Sequence, residues 1–142
     1  MLLITVLGKN ERRQIRTIIR HQAEITKALI LIPKNEAEEL EQPLRSLIGF
    51  LNKMSVTFEM LKVSEKLSEG VKEIRDAMLG LGYNGDVLVN LSDGSRMLCL
   101  QTILALYSLG INADVEIDEE SLGLFNFKLK DVMSEEYINN TP

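Results

Sequence analysis

The sequence predicts an α/β fold: a doubly wound, mostly parallel sheet with helices on both faces and a C-terminal antiparallel edge strand. Three observations carry this. Short strand-like runs alternate with longer segments of helical period along most of the chain. Several of those runs are continuously apolar, the pattern of parallel strands covered on both sides. The final run instead alternates, Phe125, Phe127 and Leu129 against Asn126 and Lys128, as a half-exposed edge strand does.

Taken in order, Leu2–Leu7 is the first strand, broken by Gly8-Lys9-Asn10. Asn10 suits the N-cap of the first helix, whose Ile15, Ile18 and Ile19 form the inner face and whose arginines form the outer one. His21, near its end, suits the helix dipole there. Ala28–Ile32 is the second strand, stopped by Pro33. Asn35 is placed to cap a second helix with Leu40, Leu44, Leu47, Ile48 and Leu51 at helical spacing, and Pro43 is tolerable in a first turn. Val56–Val63 is the third strand. The third helix buries Leu67, Val71, Ile74, Met78 and Leu81, and the glycines at 80, 82 and 85 turn the chain.

Val87–Leu91 is the fourth strand. The fourth helix runs from near Gly94 to Leu109, ending at Gly110. Met97, Leu98, Cys99, Leu100, Ile103, Leu104, Ala105, Leu106 and Tyr107 leave this helix few polar positions, so it is covered on more than one side. It is either a central core helix or, the reading favoured here, one that packs on the sheet and on a second subunit. Ala113–Ile117 is the fifth strand and Asp118–Gly123 a polar turn. Residues 1–130 are expected to form one Rossmann-like domain, with 131–142 as a C-terminal tail or linker.

Composition narrows function. The 142 residues carry a formal net charge of −5, which argues against direct duplex DNA binding through a basic surface. One cysteine permits no intrachain disulfide, and one Cys with one His offers little to a metal, so no metal and no cofactor are expected. No apolar run reaches bilayer-spanning length and Met1–Asn10 lacks a basic leader pattern; a cytoplasmic protein with no membrane partner is expected. There is no G-x-G-x-x-G after the first strand, no NTPase phosphate loop and no G-x-S-x-G elbow.

What remains is a pair of small, polar loops. In the common doubly wound order the first and fourth strands are neighbours, and the loops after them line the crevice where such sheets bind ligands. Here those loops are Gly8-Lys9-Asn10 and Ser92-Asp93-Gly94-Ser95-Arg96. Gly8 and Gly94 allow close backbone approach, Ser92 and Ser95 offer hydroxyls, and Asn90 can read a polar edge. Lys9 and Arg96 supply positive charge for an anion at a helix N-terminus. The same residues also suit a plain cap and tight turn.

At ITVLGKNERRQIRTI and VLVNLSDGSRMLCLQTILAL the chain resembles a CARF domain, the CRISPR-associated Rossmann fold, and most of all the sensor half of archaeal Csa-type CRISPR transcription regulators. Asn90, Ser92, Gly94, Ser95 and Arg96 match a strand-end motif N-x-T/S-G-G-T/S-R, while Asp93 stands where a small residue is usual and adds a carboxylate beside a phosphate. The resemblance implies a homodimer that binds cyclic oligoadenylate, cyclic tetra-adenylate in the first place, across its two-fold axis. The ligand-binding set would be Gly8, Lys9, Asn10, Asn90, Ser92, Asp93, Gly94, Ser95 and Arg96. Such regulators continue into a winged helix-turn-helix that residues after Leu129 cannot form, so an excised sensor or a stand-alone domain is expected. The alternative is a metal-independent ring nuclease that cleaves the messenger, with Lys9 and Ser92 as its catalytic residues. A weaker reading is a small nucleotide-binding α/β protein outside CRISPR.

Overall fold

A computed structural model describes residues 1–119 and 121–132. Six strands form one sheet: β1 (Leu2–Val6), β2 (Lys27–Pro33), β3 (Thr57–Val63), β4 (Val87–Asn90), β5 (Asp114–Glu119) and β6 (Gly123–Lys128). Their spatial order is β3-β2-β1-β4-β5-β6. All pairings are parallel except β5 with β6, the antiparallel edge predicted from the phenylalanine alternation. The helices are α1 (Arg12–Arg20), α2 (Glu41–Lys53), α3 (Leu67–Leu81), α4 (Arg96–Ser108) and the short α5 (Leu129–Val132). Of the expected tail, residues 133–142 lie outside the described residues. No described helix is long and apolar enough to cross a membrane.

The period-two geometry of a strand sorts side chains into two cores. Leu2, Ile4, Val6, Val87, Val89 and Val115 face α3 and α4. Leu3, Leu7, Ile30, Ile32 and Leu88 face α1 and α2. Strands β1 and β4 are buried along their whole length, as central parallel strands must be. Edge strand β3 is mostly exposed and carries Glu59 and Lys62, charges that discourage pairing with another sheet.

Several local expectations give way to tertiary structure. Asn10 makes no side-chain cap: Glu11 precedes α1 without one, and Asn10 uses its backbone N–H elsewhere. Asn35 lies in a 3₁₀ turn, Lys34–Glu36, so α2 begins later, after Leu40 and with Pro43 in its first turn. On α1 the buried residues are Gln14, Thr17 and Ile18, while Ile19 is 50% exposed, because the helix lies over a polar part of the sheet. Leu67 begins α3 half-exposed, and the buried positions there are Gly70, Ile74 and Met78.

Helix α4 starts as its sequence implies. Ser95 is the N-cap, its Oγ accepting the Leu98 N–H at 3.2 Å. The helix buries two of its few polar residues, Gln101 and Thr102, together with Leu98, Ala105 and Leu106. Met97, Leu100 and Tyr107 stay exposed on its outer side.

Candidate functional site

Strands β1 and β4 are parallel neighbours, with Leu2 opposite Val87 and Thr5 opposite Asn90. From β1 the chain passes to β2 on one side, and from β4 to β5 on the other. The two helices that follow lie on opposite faces, so the loops between them diverge and leave a crevice.

Two glycines let the loops interlock. A Cβ at Gly8 would overlap the Asp93 carboxyl and the Gly94 backbone nitrogen. Gly94 has φ +99°, and a Cβ there would come 2.8 Å from Val6 Cγ1 and 2.9 Å from the Leu7 carbonyl. Only glycine meets both demands at position 94. The contact is closed by Asp93, whose Oδ2 accepts the Asn10 backbone N–H at 2.7 Å. An internal carboxylate therefore holds one amide at the mouth of the crevice.

Beneath this clasp the polar residues are engaged with one another. Asn90 is fully buried and donates through Nδ2 to Thr17 Oγ1, while its Oδ1 accepts the Ser92 N–H at 3.1 Å. The Ser92 carbonyl accepts Arg13 Nη1 at 2.9 Å, and its Oγ accepts the Asp118 N–H at 2.8 Å. Of the residues singled out in the sequence, Asn90 and Ser92 thus brace the loop from below. Lys9, Asn10, Gly94 and Arg96 line its exposed side, with Asp93 and Ser95 half-buried between them. Lys9 and Arg96 make no ion pair among the described residues, and neither does exposed Arg12 at the start of α1. These are free cations beside a loop of small residues at the start of a helix, an arrangement suited to a multiply charged anion.

Asp93 also acts on α4. The Cys99 thiol is pushed up to about 11, first by burial and then by the charge of Asp93. Cys99 is accordingly a poor nucleophile.

Sequence reasoning missed a charged network under α1, whose arginines were expected to form a solvated face. Glu116 of β5 is fully buried. Its Oε1 accepts Arg20 Nε at 2.6 Å, and its Oε2 lies 2.9 Å from His21 Nε2. Asp118 pairs with Arg16 at 3.1 Å and with Arg20 at 3.8 Å. Arg20 also donates to Thr17 Oγ1 at 3.1 Å, which ties the network to Asn90. The signal was present as two stripes: Asp114, Glu116 and Asp118 alternate with apolar residues along β5, and Arg13, Arg16 and Arg20 recur at helical spacing on α1.

Residues 1–129 match the family model described as the Csa3 CRISPR-associated Rossmann-like domain. No curated protein matches the chain in sequence. Among solved structures, Can2 from Sulfobacillus thermosulfidooxidans in complex with cyclic tetra-adenylate is similar, with a TM-score of 0.60 and 13% identity over 90% of this chain. Protein VC1899 from Vibrio cholerae is similar too, with a TM-score of 0.66 and 14% identity over 92% of this chain. The alignment takes in 36% of each of those chains, so this chain spans about a third of their length. At such identities the likeness is one of fold. The match over 1–129 extends through β6, and with it the chain belongs to the Csa3 CRISPR-associated Rossmann-like domain family.

Proposed function

We propose that this chain is a cytoplasmic, dimeric sensor domain for a cyclic oligoadenylate, cyclic tetra-adenylate in the first place, serving CRISPR signalling as the sensor half of a transcription regulator. The observation that carries this is the pair of unpaired cations, Lys9 and Arg96, flanking a glycine-built crevice where the sheet reverses direction. Family membership and the fold shared with Can2, whose structure holds cyclic tetra-adenylate, support the choice of ligand. A ring with repeated phosphates matches a two-fold site in which Lys9, Arg96 and the loop amides are contributed twice. The exposed side of α4, with Met97, Leu100 and Tyr107, supplies an apolar surface for the partner copy.

The test is to incubate the protein with radiolabelled cyclic tetra-adenylate, without metal, and follow retention and products over time. Retention of an intact ring, at one ring per two chains, is the expected result. Lys9→Ala and Arg96→Ala should each weaken it by about a hundredfold, because each variant removes two charge-assisted contacts from the two-fold site. Linear product lost on Lys9→Ala would make the protein a ring nuclease instead. Neither retention nor product would overturn the ligand assignment.

A further inference from the structure

On the β2 side of the crevice, a pocket of about 190 Å³ opens between the end of β2 and the first turns of α4. We propose that it receives an adenine base of the ligand; this rests on the cyclic oligoadenylate reading and adds to it a site of base recognition.

The pocket divides by chemistry. Val63, Met97 and Leu98 give it apolar surface against which a flat ring can lie. Its rim carries Glu36, from the turn after β2, and Glu65, from the segment after β3. Neither carboxylate has a cationic partner among the described residues. Two unpaired carboxylates repel a phosphate but accept hydrogen bonds from an amine.

Gln101 adds a third acceptor. It is 1% exposed, and its Nε2 donates to the Ser64 carbonyl at 2.8 Å and the Lys66 carbonyl at 3.0 Å, both outside the pocket lining. Those two acceptors fix which end of the amide is nitrogen. The Gln101 Oε1 makes no hydrogen bond among the described residues and is the group this pocket-lining side chain has left for a ligand. Asn35 completes the rim and can donate as well as accept.

Position links the pocket to the phosphate loop. Ser95 caps α4 beside Arg96 and also lines the pocket, so a nucleotide can leave its phosphate at the loop and turn its base toward β2. An acceptor-rich rim selects adenine, which presents an amine at its six-position, over unsubstituted purine, which has no donor there.

The experiment compares cyclic tetra-adenylate with its analogue carrying unsubstituted purine in place of each adenine, by competition for the intact protein. The wild type should prefer the adenylate ring by about tenfold or more, because the purine analogue lacks the amine from which these acceptors take a hydrogen bond. Glu36→Ala/Glu65→Ala, changed at solvent-accessible positions that leave the core untouched, should bring that preference close to unity. Arg96→Ala should weaken both rings alike and leave the preference intact. Adenylate bound with an unchanged preference in the double variant would overturn the pocket while sparing the sensor reading. No binding of either ring would overturn the sensor reading and the pocket with it.

Discussion

Helices α1 and α4 each follow a crevice loop, yet they are held by opposite means. Helix α4 begins at a serine cap and packs Leu98, Ala105 and Leu106 into the apolar core, so its start follows from its own sequence and its hold from apolar burial. Helix α1 has no side-chain cap, buries Gln14 and Thr17, and is fastened to β5 through Arg16, Arg20 and His21. Apolar burial needs a partner surface of no particular identity. An ion-pair network needs specific partners far along the chain, here residues separated by almost the length of the domain. One anchor is local and tolerant; the other is long-range and exacting.

The largest effect is expected where the exacting anchor is cut. Glu116→Gln removes the carboxylate that Arg20 and His21 share, and the Glu116 side chain is only 1% exposed while that of Arg20 is 30% exposed. Breaking one side of such a pair should cost about 3 kcal/mol, the partial exposure of Arg20 keeping it at the low end of the usual range. Urea unfolding measures this; a loss below about 1 kcal/mol would mean that α1 is held by packing after all, and the contrast with α4 would disappear.

A smaller effect concerns α4 and appears only in alkali. The ordinary Cys99 value is 9.0, and folding raises it to about 11. As pH rises through that window the unfolded chain releases the proton and the folded one keeps it, so stability falls with rising pH. The loss should reach between about 1 and 2 kcal/mol, reduced from the full shift because the thiol is not wholly enclosed. Comparing wild type with Cys99→Ser at about pH 8 and about pH 10 isolates it. Equal losses in the two proteins would show that the first turns of α4 are wetter than their packing implies. Smallest is Ser95→Ala, which removes the cap bond to Leu98 and should cost about 1 kcal/mol with the crevice otherwise intact. A loss well beyond that would mean that α4, too, depends on a single polar contact.

The same contrast explains what could be read from the sequence. Strand sequence, the β1–β4 adjacency, the antiparallel last strand and the Ser95-led start of α4 all rest on periodicity and capping, which act within a few residues. The Gly8 and Gly94 loops were legible because small residues at strand ends have few other uses. The state of the residues within them was not. That Asn10 meets Asp93 through its backbone, that Ser92 turns its Oγ to Asp118, and that Asn90 reaches Thr17 are all pairings across tens of residues. Local rules assigned Asn10 and Asn35 to caps because nothing nearby argued otherwise. Ile19 was placed inside for the same reason: helical spacing identifies an apolar stripe but does not say which surface the helix will meet, and α1 meets Asn90 and Glu116.

The adjacency of β1 and β4 has a further consequence, for the order in which the molecule is made. Strands β1, β2 and β3 are neighbours in the sheet and form from the first half of the chain, but the other edge of β1 stays bare until Val87–Asn90 arrive. A partly synthesised chain therefore has Gly8, Asn10 and Arg13 before it has Asp93, Gly94 and the Ser92 carbonyl that meet them. Closing that gap is the long-range, slow kind of event in folding. It also creates the crevice, so on the ribosome the proposed anion site is complete only when the sheet is.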